Sequence, residues 1–419
     1  MYAPRVLRCL GLVALVAACG DGVRVDADAS VPVDGSARLV TLQLTDRVGG
    51  LPVYFQHEDS TVALATMTDD AGRASAYMTR PGFVTVVSAD LRITTYAGVE
   101  PGDDILVGQA FVAPGPQVPL NVRVPSFPAM GYQVLSSCGE SEVNRVPTTF
   151  VMRVERCADT MDAMLVSFDL DESNNPIPGP RYYQLLRDVP IVALSTVAFG
   201  ETYEREVPGA VTVNGLPPGT NDLRVQQRLV ADRRIVALAE SWPTTTTPTA
   251  RNELGAIPRT PDVVVQTSVE VWTFGPLSTP HLIEWGPGST ELTVELDPLP
   301  RAYTEPPRFV PETNTVTWAE EPSGDVANVA IARLRWSTSN TSPSWTIVSP
   351  RGDEPFVQLP VLPDPALRPV APTTFVDGLD SLVYPYGYRA FRDLGHVELT
   401  SVVPTLTPAG RIAYRSLRQ

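Results

Sequence analysis

The sequence contains three histidines, and this small number limits the catalytic chemistry that the chain could perform. His57, His281 and His396 lie in separate regions, without a His-Glu-x-x-His zinc motif or a Gly-x-Ser-x-Gly nucleophile motif. His281 and Glu284 stand at a spacing that places two side chains on opposite faces of a β-strand. The histidines therefore predict no catalytic residue and no metal site.

Carboxylates are the other side chains that could act in catalysis or hold a cation. The segment Asp169-Leu170-Asp171-Glu172-Ser173 resembles the start of a calcium loop, but Asn174 occupies the position of the essential glycine and Pro180 that of the final glutamate. An EF-hand is therefore excluded, an irregular calcium site stays an alternative, and no cofactor is predicted. A glycosidase-like hydrolase with a carboxylate pair also stays open, because the chain contains 47 acidic residues.

Three tryptophans, Trp318, Trp336 and Trp345, fall within 28 residues on neighbouring predicted strands. Aromatic side chains on a sheet face can stack on sugar rings, so this cluster is the candidate ligand platform, with a glycan as its partner. The alternative is core packing, which is favoured because β-sandwiches commonly bury tryptophan between their sheets. Alternating tyrosines at 384–388 would extend the platform if they shared one exposed face.

Arg351-Gly352-Asp353 spells the tripeptide that integrins recognise. Three such residues arise by chance in a chain rich in arginine, glycine and aspartate, and the glycine suits a turn. We therefore predict a turn at these positions, not an adhesion site.

The chain begins with a secretory leader. Two arginines precede an apolar run from Cys9 to Ala18, which is too short to span a bilayer as a helix. The tetrad Val16-Ala17-Ala18-Cys19 resembles the bacterial lipobox, which implies removal of residues 1–18 and acylation of Cys19, for example by palmitate. The resemblance implies a lipoprotein of the cell envelope, held at the outer membrane. The alternative is an ordinary signal peptide with a chance cysteine.

The remaining cysteines predict a disulfide. Of the four cysteines, Cys9 leaves with the leader and Cys19 would carry the lipid, so Cys138 and Cys157 remain. An even remainder in an exported protein indicates a bridge. Closing a loop of about twenty residues contributes about 3 kcal/mol in the chain-entropy model. Two buried free thiols are the alternative.

Charge limits the partners of this chain. The net charge is −15, and all 32 basic residues are arginine. Without a basic run, the chain has no electrostatic means of binding nucleic acid or anionic lipid headgroups. Membrane contact is therefore predicted through the lipid anchor, and further partners would be envelope proteins or glycans.

The elements that position these residues are predicted to be short β-strands. Val40, Leu42 and Leu44 alternate with polar residues, and no stretch beyond the leader keeps a 3.6-residue period for three turns. The 42 prolines also favour strands and fixed turns over helices. The prediction is an all-β chain with two or three antiparallel β-sandwich domains in tandem. Its parts are a signal peptide (1–18), an acylated cysteine with a disordered acidic tether (19–36), a first sandwich (37–112), a proline-rich linker (113–130), a second β-rich domain (131–241), a Thr/Pro-rich linker (242–262) and a C-terminal β-rich domain (263–419).

The segment Thr68-Asp69-Asp70-Ala71-Gly72-Arg73-Ala74 resembles the Thr-Asp-x-x-Gly-x-Ala hairpin of bacterial Ig-like and carboxypeptidase-regulatory-like (transthyretin-like) domains. The resemblance covers the first sandwich only, and implies a spacer or display module without a catalytic residue. We therefore expect an envelope lipoprotein that acts as a non-catalytic binding, display or scaffold protein. The alternatives are a carbohydrate-binding surface protein and the hydrolase named above.

Overall fold

A computed structural model describes residues 37–45, 47–108, 117–125, 131–136, 138–141, 144–145, 149–155, 159–171, 182–200, 204–205, 209–231, 234–241, 249–254, 264–273, 279–287, 289–338, 341–393 and 411–418. Most of the regular structure in these residues is β-strand. Helical structure is limited to one six-residue helix, α1 (Gly387–Arg392), and a 3-10 turn at Pro365–Leu367. The predicted all-β class is therefore confirmed. Within the described ranges, no helix is long and apolar enough to cross a membrane.

The strands fall into four groups along the chain. The first group is β1 (Arg38–Leu44), β2 (Pro52–His57), β3 (Val62–Met67), β4 (Arg73–Met78), β5 (Gly82–Val87), β6 (Arg92–Val99) and β7 (Asp104–Val107). The second is β8 (Gln117–Arg123), β9 (Gly131–Ser136), β10 (Gly139–Glu140), β11 (Asn144–Arg145), β12 (Thr149–Glu155), β13 (Thr160–Phe168), β14 (Tyr182–Pro190), β15 (Thr196–Ala198) and β16 (Glu204–Arg205). The third is β17 (Gly209–Asn214), β18 (Thr220–Ala231), β19 (Arg234–Ser241), β20 (Thr249–Leu254), β21 (Val264–Thr273), β22 (Thr279–Pro287) and β23 (Glu291–Glu295). The fourth is β24 (Tyr303–Val310), β25 (Thr315–Glu320), β26 (Val329–Arg335), β27 (Ser344–Pro350), β28 (Phe356–Gln358), β29 (Phe375–Val383) and β30 (Arg411–Arg418).

These groups build four sandwiches, of which the first three share one connectivity and the fourth differs from them in one strand. One sheet of each sandwich follows the order β3-β2-β5-β6, β10-β9-β13-β14, β19-β18-β21-β22 or β27-β26-β29-β30. The facing sheet follows the order β4-β1-β7, β12-β8-β15, β20-β17-β23 or β24-β25-β28. The last strand runs parallel to the first in three sandwiches, whereas β24 takes that place in the fourth and is antiparallel. Each parallel pair arises because the first and last strands of a sandwich lie side by side, while the other strand pairs within each sandwich are antiparallel.

Three of the four sandwiches share one sheet. Its twelve strands have the order β19-β18-β21-β22-β30-β29-β26-β27-β6-β5-β2-β3. The third sandwich joins the fourth through the antiparallel pair β22–β30, and the fourth joins the first through the parallel pair β27–β6. At the second junction the Trp345 indole nitrogen donates to the Thr95 hydroxyl at 2.8 Å, between residues 250 positions apart in the sequence. Backbone pairing therefore makes the three sandwiches one continuous body.

The smaller sheets cover opposite faces of this shared sheet. Ile412 belongs to the core under β4-β1-β7, whereas its neighbour Ala413 belongs to the core under β20-β17-β23. Since successive residues of a strand point to opposite faces, the two covers lie on opposite sides. Val40, Leu42 and Leu44 of β1 are buried as their alternation predicts, and each such side chain contributes about 1.5–3 kcal/mol.

The sandwich boundaries differ from the predicted domain boundaries. The predicted linker 113–130 contains β8, whose alternating Leu120 and Val122 are buried in the second core. The predicted linker 242–262 contains β20, which pairs with β17 inside the third sandwich. The proline and threonine content of both segments predicts linkers, but their backbones pair with neighbouring strands and so belong to sheets.

A buried ion cluster also joins the first and fourth sandwiches. The Asp103 carboxylate accepts hydrogen bonds from Arg392 and Arg389 of α1 and from the Glu100 amide. The Arg392 side chain is 1% exposed, so its charge is neutralised away from water. Burial alone would raise the pKa of Asp103, but the hydrogen bonds from Arg392, Glu100 and Arg389 outweigh burial, and its pKa lies below the ordinary value.

The turn between β3 and β4 has the local geometry that its residues predict, but the two strands pair with β2 and β1 in different sheets and so do not form a hairpin. The Asp69 carboxylate accepts from the amides of Ala71 and Arg73, and Gly72 has a φ of +74°. A Cβ on Gly72 would lie 2.7 Å from the Arg47 Cα, so glycine is required for space as well as conformation. The turn therefore follows directly from the Thr-Asp-x-x-Gly segment.

Candidate functional site

The three clustered tryptophans do not form a ligand platform. Trp318, Trp336 and Trp345 are 6%, 0% and 1% exposed. The rings of Trp336 and Trp345 meet edge to face with centroids 6.5 Å apart, inside the core between the shared sheet and β24-β25-β28. The platform prediction is therefore wrong for these residues, since a sugar cannot reach them. They pack in the core, which was the favoured alternative.

The Arg351-Gly352-Asp353 tripeptide is not displayed as a unit. The Arg351 side chain is 1% exposed and pairs with Glu320, with a nitrogen to oxygen distance of 2.6 Å. Its guanidinium also lies 5.8 Å from the ring centroid of Trp318, while Gly352 and Asp353 are exposed. Because the arginine is held inside the protein, the tripeptide cannot present both charges to a receptor.

The other sequence candidates are dispersed. His281 stacks on Tyr414 with ring centroids 4.5 Å apart, and His57 ends β2 in the first sandwich. Cys138 is buried, whereas Cys19, Cys157 and His396 lie outside the described residues, so the lipidation and the disulfide stay predictions. Only the first three residues of the candidate calcium segment 169–173 are described. Within the described part of the chain, no group of three or more His, Cys, Asp or Glu side chains could hold a metal ion.

The structure instead places a polar cleft in the third sandwich, between the shared sheet and β23. Gln227, Thr267 and Glu284 stand side by side on three adjacent strands and form one row of its floor. Val265 and Gly286 form the next row, while Ser289 and Leu292 form the wall. The cleft has a volume of about 60 Å³. Its lining is polar at one end and apolar at the other.

Hydrogen-bond acceptors dominate the polar end. The Gln227 amide nitrogen donates to the Thr267 hydroxyl at 3.2 Å, and its buried carbonyl oxygen has no hydrogen-bond partner among the described residues. Glu284 forms an ion pair with Arg411 at 3.8 Å, a distance too long for a hydrogen bond, so its carboxylate can still accept hydrogen bonds. Burial raises the pKa of Glu284, and the charge of Glu295 adds to this effect while Arg411 opposes it. The polar end therefore suits a group that donates hydrogen bonds and carries positive charge.

Gly286 keeps the cleft open. A Cβ built on this residue would meet no atom within 4 Å, and the residue shares the cleft face with Glu284 because the two stand two positions apart. A larger side chain at this position would therefore project into the cleft without distorting the strand. The only signal for this site in the sequence is the alternation of Glu284 and Gly286 along β22. The site itself depends on the row of residues contributed by three neighbouring strands, which the sequence does not reveal.

One exposed aromatic residue was not predicted from the sequence as a site residue. Trp272 of β21 is 45% exposed and stands in register with Asp222. On the same strand face, Glu270 lies 3.6 Å from Arg224 across the strand pair. This single tryptophan lies outside the cluster that attracted attention in the sequence.

No protein family and no curated protein matches the sequence. Among solved structures, the Bacillus anthracis TIE protein shows 7% identity and a TM-score of 0.16, over 62% of this chain and 50% of that chain. This chain therefore spans about half the length of that structure. A streptococcal ancillary pilin shows 10% identity and a TM-score of 0.14, over 62% of this chain and 98% of that chain. These scores are too low to carry an argument about fold or function.

Proposed function

We propose that this protein is a lipid-anchored protein of the cell envelope that acts as a non-catalytic binding, display or scaffold protein. The observation that carries the proposal is the shared twelve-stranded sheet, which joins three sandwiches into one stiff body. Such a body holds its surfaces at fixed positions. Buried charged groups such as Asp103 and Arg351 hold parts of the fold together, so their role is structural.

The anchor in this proposal is Cys19, followed by the acidic tether of residues 19–36. With a net charge of −15, attachment depends on acyl chains, each buried methylene contributing about 0.8 kcal/mol. Replacing Cys19 with serine tests the anchor. The wild-type chain is expected in the membrane fraction and the variant in the soluble fraction. A variant that still sediments with membranes, even after a high-salt wash, would contradict the anchor.

The cleft is the binding site in this proposal, and its ligand class is an aliphatic ammonium group. The acceptors Gln227, Thr267 and Glu284 face the ammonium, while Val265 and Leu292 contact the methylene stem. An ammonium group has three donors and no acceptor, so it matches the polar end. A charge-assisted hydrogen bond to Glu284 is worth about 1.5–3 kcal/mol.

Ligand-observed NMR with n-butylammonium tests the cleft, with n-butanol as a neutral probe of equal length. Glu284→Gln keeps the shape but removes the charge, and should weaken butylammonium binding about tenfold or more. Gly286→Leu should abolish binding by filling the cleft. Gly352→Leu is the matched control, since a Cβ there also meets no atom within 4 Å and the residue lies outside the cleft. Equal binding of butanol, or of Gly286→Leu, would contradict the assignment.

Carbohydrate binding is a second candidate function, favoured by the exposed Trp272 beside the Arg224–Glu270 pair. A sugar ring could stack on the indole while the two charged groups bind its hydroxyls. Affinity electrophoresis in a gel containing soluble β-linked glucan tests this candidate. Retardation of the wild-type chain that Trp272→Ala abolishes would support it, and equal mobility in gels with and without glucan would refute it for this class of glycan.

A further inference from the structure

The chain contains no lysine. All 32 of its basic residues are arginine, and its net charge is −15. In the function proposed above, the cleft of the third sandwich accepts an ammonium group, which is the charged group of the one basic side chain that this protein lacks. No side chain of another copy of this protein can supply that group. The side chain that fills the cleft must therefore come from a different molecule.

The size of the cleft limits which part of a ligand can enter it. A cavity needs about 10–15 Å³ for each water-sized group, so a volume of about 60 Å³ admits about four to six such groups. The ammonium group and the four methylenes of a lysine side chain fall within this limit. A larger body attached to the stem has to stay outside the mouth of the cleft. The size therefore suits the end of a lysine side chain whose backbone lies on the protein surface.

The two rows of the cleft floor have a separation that matches such a stem. Thr267 and Val265 stand two positions apart on β21, and Glu284 and Gly286 stand two positions apart on β22. Two residues of a strand span about 6.8 Å. Four methylenes with bonds of about 1.5 Å reach about 5–6 Å when extended. An ammonium group at the polar row therefore places its stem beside Val265 and over Gly286, where no side chain blocks it.

The arrangement of the acceptors favours an ammonium group over a guanidinium. Gln227 and Glu284 have long side chains that flank the short Thr267, and the Gln227 amide already contacts the Thr267 hydroxyl at 3.2 Å. Their acceptor atoms can therefore converge on one point, which suits a compact charge with three donors. A guanidinium is planar and holds its five donors in a rigid fork. The same difference keeps the arginines of neighbouring copies out of the cleft.

We propose that the cleft binds a lysine side chain of a partner protein. The ammonium group donates to the Glu284 carboxylate, the Gln227 carbonyl oxygen and the Thr267 hydroxyl. Its stem contacts the buried Val265 and the half-buried Leu292. The Gln227 oxygen is buried without a hydrogen-bond partner among the described residues, and the ammonium group supplies one. The negative charge of the chain attracts basic proteins over a distance, and the cleft selects lysine on contact.

This inference rests on the proposed function of the cleft and narrows its ligand from an aliphatic ammonium group to a lysine within a polypeptide. Failure of the inference and failure of the proposed function give different results. If n-butylammonium binds and lysine peptides do not, the cleft takes small amines, and the lysine inference is overturned while the proposed function stands. If neither binds, both are wrong.

Ligand-observed NMR on the full chain in detergent tests the selectivity. The probes are pentapeptides with blocked ends and a central lysine, arginine or Nε-acetyl-lysine. The lysine peptide should bind at least about tenfold more tightly than the other two, and Glu284→Gln should weaken it about tenfold or more. Glu291→Gln is the matched control, because it also removes one carboxylate of the third sandwich but is more than half exposed and lies outside the cleft. Equal binding of the lysine and arginine peptides, or equal losses in the two variants, would show general charge attraction and overturn the proposal.

Coupling with a water-soluble carbodiimide locates the bound lysine. The reagent joins a carboxylate to an amine, and this chain has no lysine that competes with the peptide. We expect a link between Glu284 and the lysine peptide, identified by peptide mapping and mass spectrometry. Gly286→Leu should remove this link and leave any link at the exposed Glu291 unchanged. A Glu284 link that is absent from the wild-type chain, or that persists in Gly286→Leu, would overturn the placement of the lysine.

Discussion

Removing the Asp103 carboxylate tests whether the ion cluster at α1 holds the first and fourth sandwiches together. Asp103 receives Arg392 and Arg389, and the Arg392 side chain is 1% exposed. In Asp103→Ala the Arg392 charge stays buried, with the half-exposed Asp393 as its remaining anionic partner. Breaking a buried pair by removing one partner typically costs about 3–5 kcal/mol. We expect the free energy of unfolding to fall by about that amount at pH 7.

Urea titration followed by tryptophan fluorescence measures the change, because Trp336 and Trp345 report on the core of the fourth sandwich. Glu291→Ala is the matched control, since it breaks the Arg251–Glu291 pair, whose side chains are more than half exposed. An exposed pair contributes about 1 kcal/mol or less. If Asp103→Ala loses no more stability than Glu291→Ala, the reasoning about the buried guanidinium is wrong.

The stability difference between wild type and Asp103→Ala should depend on pH. The folded-state pKa of Asp103 is lowered, so its contribution is fully present above the unfolded value of about 3.9 and is lost as the pH falls through the folded pKa. The stability difference between wild type and Asp103→Ala should therefore be constant from about pH 5 to 7 and shrink below about pH 4. A difference that grows on acidification would contradict the assigned direction.

Three further predictions follow, two of which compare matched residues. Trp345→Ala should lower the unfolding free energy by about 3–5 kcal/mol, because it empties a buried site at the β6–β27 junction. Replacing the exposed Trp272 with alanine should change the unfolding free energy by about 0.5 kcal/mol. Equal losses of the two variants in urea titrations would refute the burial assignment. Gly82→Ala should lower the free energy of unfolding by about 3 kcal/mol or more, because its Cβ would lie 1.9 Å from the Gln56 carbonyl oxygen, whereas Gly286→Ala should be tolerated. Thermal melting of both variants measures the difference. A stable Gly82→Ala variant would show that β2 and β5 can separate at this position. The predicted Cys138–Cys157 disulfide should appear as a gain of two hydrogens in the intact mass on reduction, lost in Cys138→Ser, and an unchanged mass would show free thiols.

Much of the local structure could be predicted from the sequence, because it depends on neighbouring residues. The turn after β3 has the side-chain cap and the positive φ that its Thr-Asp-x-x-Gly segment indicates. Alternation also predicted the buried face of β1. These features follow from the period of two and from turn chemistry, which are both local.

The arrangement of the sandwiches could not be predicted in this way. β6 pairs with β27, which lies about 250 positions away in the sequence, and no local pattern in either strand specifies that partner. The common connectivity is likewise carried by strand order, while the sequences of the four groups show no clean repeat. Proline and threonine content predicts linkers at the positions of β8 and β20, because composition carries no information about which strands pair.

The candidate site shows the same limit. Clustering of tryptophans in the sequence drew attention to Trp318, Trp336 and Trp345, which the core uses, whereas the exposed Trp272 stands apart from them. The cleft is formed by a row of single residues from three strands, so none of its members stands out in the sequence. Spacing along the chain identifies sites built on one element, and this site is built across several.

The parallel junction between β6 and β27 affects how the protein can fold. During synthesis from the N-terminal end, β6 emerges long before the residues that complete its hydrogen bonds, because β27 follows only about 250 residues later. Closing such a long interval is slow, and the early segment meanwhile carries unsatisfied backbone that favours association with other chains. We therefore expect that a truncated chain ending before Ser344 would aggregate or need a chaperone, although all seven strands of its first sandwich are present.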